Sequence, residues 1–239
     1  MIIILQGMSN KVSSIIFVEG KSDQSLIKSL VETKFGINFD KRYCCKEQEM
    51  LIMETDGVNN MKDKIERQIV NKNGNNIKKV FIIRDADENK EAAEQSVKDI
   101  IGKYKDNDIT FDYHIITRPN DNYGDNYGEN YGIIEDLFLD IVVKGKNKEF
   151  YQDAKIYDLV NTVIDDTKAS RDFYSRKVKA VATSFVRFYN CKETANSRND
   201  ICSLMEKDED IAKKLMEYNA IKEMLEKIRI HFSLELACN

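Results

Sequence analysis

The sequence predicts an α/β protein, a mainly parallel sheet flanked by helices, followed by a helical C-terminal subdomain. Three observations predict it. Short, unalternating apolar runs at Ser13–Val18 and Lys79–Arg84 have the form of strands covered on both faces. Amphipathic helical patterns alternate with them, as parallel sheets with right-handed crossovers require. From about Lys146 onward strand signals stop and only helical spacing is left. The expected division is an α/β domain over 1–140 and a helical subdomain over 141–239.

The elements follow in order. Met1–Gly7 is apolar but too short and too poor in basic residues for a signal segment, and has the form of a small extra strand or an extension. After the strand ending at Val18, Asp23–Lys34 places Leu26, Ile27, Leu30 and Val31 on one helical side, and Phe35-Gly36 closes it. Lys41–Met53 is ambiguous, with Met50-Leu51-Ile52-Met53 a candidate second strand running into Thr55-Asp56-Gly57. Asn60–Val70 has a helical pattern, and Asn71–Asn75 is a loop. Beyond the strand ending at Arg84, Glu88–Tyr104 predicts a polar helix with Ala92, Val97, Ile100 and Ile101 facing inward, and Phe111–Thr117 predicts another strand.

Asn-Tyr-Gly then occurs three times between Asn122 and Gly132, a low-complexity loop. Its tyrosines could stack on unpaired bases, or the segment could be a loop tip lengthened by repetition. Tyr151–Ile164, Ser170–Tyr189, Asp200–Glu206 and Asp208–Phe232 predict helices. The middle of this region is basic, with Lys168, Arg171, Arg176, Lys177, Lys179, Arg187, Lys192 and Arg198. Such a run suits a phosphate-contacting face and equally a solvated helix surface.

Composition sets outer bounds. The chain has 239 residues, 42% hydrophobic, enough for a packed core. A formal charge of −4 does not advertise nucleic acid. Bound metal, however, reverses the local sign at an acidic site. Five cysteines, two of them adjacent at Cys44-Cys45, do not form a disulfide or zinc pattern, and a reducing cytoplasm is the expected setting. No run approaches the ~20 apolar residues of a membrane span.

The chemistry lies where the strands end. The first closes on Glu19-Gly20-Lys21-Ser22-Asp23 and the second on Arg84-Asp85-Ala86-Asp87. In open α/β sheets, the carboxyl ends of strands are where ligands bind. Either motif alone is also what turn and helix-cap chemistry writes. Both together, in order and each before a helix, point to one shared acidic site. His114, inside a strand, is expected to be structural, and His231, near the end of the last helix, suggests no role.

This arrangement resembles the Toprim domain, the metal-binding module of topoisomerases, primases, some RNA-maturation nucleases and the overcoming-lysogenization-defect nucleases. The resemblance runs from about Ser13 to Asp140. It rests on Glu19-Gly20, on Asp85-Ala86-Asp87, on Asp23 as in the nuclease branch, and on the late element Gly132-Ile133-Ile134-Glu135-Asp136-Leu137. It implies a Rossmann-like Toprim fold and one or two Mg²⁺ or Mn²⁺ ions. Asp85 and Asp87 would hold metal, joined by Glu19 or Asp23, with Glu135 completing the shell or holding a second ion. Glu19 is alternatively a general acid or base. Asp136 suits a helix N-terminus better than a ligand role.

Lys21 and Arg84 stand beside the acids and could steady a phosphate or transition-state charge. Arg84, Arg176, Lys177 and Lys179 are the candidate nucleic-acid contacts, and Glu19, Asp23 and Lys21 the candidate catalytic group. The expected function is a Mg²⁺-dependent nuclease acting on DNA or RNA. Any controlling ATPase would be a separate chain, since no Gly-x-x-x-x-Gly-Lys-Ser/Thr loop is present. The alternatives are a non-catalytic binding subunit of a partner ATPase or nucleic-acid complex, and a phosphohydrolase for small nucleotides.

Overall fold

The computed structural model describes residues 12–37, 39, 49–70, 77–104, 108–117, 132, 135, 179, 182, 213 and 215–236. Four strands, β1 (Val12–Val18), β2 (Glu49–Glu54), β3 (Lys79–Asp85) and β4 (Thr110–Ile116), form a parallel sheet in the order β2-β1-β3-β4. Helices α1 (Lys21–Phe35), α2 (Val58–Val70) and α3 (Lys90–Gly102) connect successive strands, and α4 (Asn219–Phe232) follows later in the chain. The expected fold class is the observed one. The ambiguous stretch at Met50–Met53 is a strand.

The chain steps from β1 outward to β2, then crosses back over β1 to β3 and continues outward to β4. The order therefore reverses between β1 and β3. Their side chains pack both faces, which is why neither strand alternates. On one face Ile15, Phe17, Val80 and Ile82 join Met61 and Ile65 of α2 with Ala93, Val97 and Ile100 of α3 in one buried cluster. Phe81 points to the other face, where its ring meets His231 and Phe232 of α4 at centroid distances of 5.7 and 6.3 Å. Leu26, Ile27, Leu30 and Val31 of α1 are all buried outside the first cluster. A right-handed crossover places α1 on the α4 side.

Two expectations shift. Helix α3 starts at Lys90, because Asn89 caps it by accepting the Ala92 amide at 3.1 Å and Asp87 takes a positive φ of 49°. That phase buries Ala93 and leaves Ala92 exposed. The helix expected over Asp208–Phe232 is interrupted: Met216–Glu217 form a turn, Tyr218 is extended, and α4 restarts at Asn219.

The expected helices over 151–164 and 200–206, the Asn-Tyr-Gly repeats apart from Gly132, the cysteines and the Met1–Gly7 segment lie outside the described residues. Positions 179 and 182, within the helix expected over 170–189, are helical. His114 is buried in β4, and burial, with the charges of Lys227 and Lys90, pushes its pKa down to about 4. Among the described residues no helix is long and apolar enough to cross a membrane.

Candidate active site

The β1 and β3 tips are adjacent at the reversal of strand order, the position where α/β sheets open a crevice outside their carboxyl ends. Glu19 leaves β1 there. Its backbone carbonyl accepts the Gly57 amide at 2.8 Å and the Thr55 hydroxyl at 3.3 Å, so the loop after β2 fixes the residue from one side. Gly57 can do this because its φ of 95° belongs to glycine. From the other side, the Arg84 Nε donates to Glu19 Oε1 at 3.2 Å.

Asp23 stands one turn into α1, where its Oδ2 accepts the Gly20 amide at 2.9 Å and caps the helix. Asp85 closes β3 and is buried. Asp87, in its left-handed conformation, exchanges two backbone hydrogen bonds of 2.9 Å with Gly132. That bridge ties the second acid motif to the segment leading to Glu135, which is buried and helical. The Lys179 Nζ lies 4.0 Å from Asp85 Oδ2.

The charges act on one another. Glu19 is pushed up to about 7, first by burial, then by Asp87, with Arg84 opposing and Asp23 adding to the rise. Burial also raises Asp23, against the pull of the Gly20 amide. Asp85 is raised well above the ordinary carboxylate range by burial and then by Asp23, Glu135 and Glu19, while Lys179 opposes. At Lys179 burial works against the ammonium, but Glu135, Asp85, Asp23 and Asp87 together outweigh it and hold the charge on.

The structure thus brings Glu19, Asp23, Asp85, Asp87 and Glu135 into one electrostatic cluster, with Arg84 and Lys179 as its cations. Lys21 does not join it: the side chain is exposed and makes no bond to the acids among the described residues. Arg176 and Lys177 lie outside the described residues, as does Asp136. The roles of Thr55 and Gly57 were not marked in the sequence as part of a site, and only the glycine after Asp56 signals a turn there.

The donor set suits a hard divalent cation in kind, being carboxylate oxygen with no thiolate or imidazole beside it among the described residues. The mutual repulsion of its acids has the sign such a cation offsets. Among the described residues no three of the acids are already grouped around one ion position. Holding an ion in several-fold coordination would therefore require the carboxylates to close in.

A family model described as "Protein of unknown function (DUF3226)" matches residues 13–218, continuing well past the domain boundary expected near 140. No curated protein and no solved structure matches the chain.

Proposed function

Starting from a chain that belongs to the family described as a protein of unknown function (DUF3226), we propose a divalent-metal-dependent nuclease of Toprim type that hydrolyses phosphodiester bonds in DNA or RNA. One observation carries the proposal: acids from two adjacent strand tips, Glu19 with Asp23 and Asp85 with Asp87, meet at the reversal of strand order with an ammonium among them. Acids so arranged have little to do for an apolar or neutral substrate. They suit a metal-bridged phosphate.

Asp85 and Asp87, with Asp23 and Glu135, would hold Mg²⁺ or Mn²⁺. The ion, when bound, neutralises charge on the phosphate and makes a bound water more acidic. Glu19, fixed at its carbonyl and at one carboxylate oxygen, would serve as the general acid or base. Its proton affinity near neutrality suits that task, and a cation beside it would lower the value. As water adds to phosphorus and the ester P–O bond breaks, the water gives up a proton and the departing oxygen gains one; Glu19 would accept the first as base or supply the second as acid, with solvent completing the exchange. Lys179, with 45% of its side chain exposed, can present its charge to a non-bridging phosphate oxygen.

The test is cleavage of labelled single-stranded and duplex DNA and RNA with Mg²⁺ or Mn²⁺, for the native chain and the Asp85→Asn, Asp87→Asn double variant. Asparagine keeps the shape and tolerates the left-handed backbone at position 87. Metal-dependent cleavage by the native chain, reduced to background in the variant, is expected. A folded native chain that binds Mn²⁺ but cuts none of the substrates would instead favour the binding subunit of a partner ATPase or nucleic-acid complex.

A further inference from the structure

We infer that Arg84 is a positioning residue for Glu19 rather than a contact for the phosphate backbone. The pairing itself stands on geometry, and its kinetic consequence rests on the nuclease reading. Strands β1 and β3 pair in parallel up to Phe17 opposite Ile82, and the same register continued two residues further sets Glu19 opposite Arg84. The two side chains are 12% and 13% exposed. The guanidinium donates from Nε to Glu19 Oε1 at 3.2 Å, and its Nη1 approaches the Ala93 carbonyl, in the first turn of α3, at 3.5 Å.

An arginine fork is planar and rigid, so donors spent on these two acceptors fix its orientation. An incoming phosphate would have to break a largely desolvated ion pair to reach it. Lys179, 45% exposed and 4.0 Å from its acid partner, is the more open of the two cations. The gain from the pair lies at Glu19. Asp87 and Asp23 both bear on that carboxylate with like charge and would drive it away from the cluster. With Oε1 held by Arg84 and the backbone carbonyl held by Gly57 and Thr55, the acid has one orientation.

The experiment uses the full chain with Arg84→Gln and Arg84→Lys. Steady-state cleavage of a labelled oligonucleotide in Mn²⁺ should show kcat reduced about ten- to a hundredfold in Arg84→Gln. KM and the salt dependence of binding should stay unchanged, and Arg84→Lys should fall between. A raised KM, with the slope of log affinity against log salt smaller by about one, would make Arg84 a phosphate contact and overturn the inference.

If the native chain cuts nothing, the nuclease reading fails while the pairing is still decided by urea unfolding of Glu19→Gln, Arg84→Gln and the double variant. A double variant that loses less than the two single losses combined is expected. Additive losses would sink the pairing. Should Arg84→Gln not fold, Arg84→Lys takes its place in the same cycle.

Discussion

Glu19 titrates far from the ordinary 4.5 of its kind, at about 7, because folding buries it and sets Asp87 beside it. A carboxyl raised on folding binds its proton more tightly in the native state than in the unfolded chain. Its contribution to stability is therefore full below about 4.5 and lost as pH rises through about 7. The rise corresponds to about 3 kcal/mol at ~1.4 kcal/mol per pH unit, shared among coupled acids. Urea unfolding of the metal-free protein should show stability declining between pH 5 and 8, and Glu19→Gln should flatten that decline.

Lys179 acts in the opposite sense, and its removal leaves Asp85 and Glu135 less compensated. With nearly half of the side chain in solvent, Lys179→Met should cost only about 1 kcal/mol, more at pH 8 than at pH 6. Added Mn²⁺ should restore more stability to this variant than to the native chain, as thermal unfolding would register. The sequence marked Lys179 as one of many basic residues. Nothing in its own neighbourhood indicated that Asp85, so distant in the chain, would be its partner.

At the scale of elements, the strands and helices were legible because burial on both faces writes apolar runs and burial on one face writes helical spacing. The errors came where a local backbone feature sets the phase. The positive φ at Asp87 and the cap at Asn89 delay α3, and Tyr218 breaks the final helical pattern although its neighbours keep the spacing. The loop after β2 was legible as a turn but not as a support, because the bond from Gly57 to Glu19 depends on how β2 lies beside β1. An added Cβ at Gly57 would meet nothing within 4 Å, so Gly57→Ala tests the backbone alone. It should cost about 1 kcal/mol in urea unfolding through its φ of 95°, and should lower cleavage by loosening Glu19.

For the molecule as a whole, the acid motifs and their order were readable from the chain, whereas their meeting point is a property of the sheet. The order β2-β1-β3-β4 makes β1 and β3 neighbours and leaves β2 outside. A chain that placed its strands in sequential order would separate Glu19 from Asp85 by a full strand. The net charge of −4 says little about this centre, since five acids and two cations of the cluster are concentrated at one edge. Because Glu19 and Arg84 are 65 residues apart in the chain, their contact forms only when the crossover through β2 and α2 has closed. Contacts of such long sequence separation form slowly. Closing that crossover presses like charges together, so pairing β3 beside β1 and bringing Glu19 up to Asp85 are one structural step.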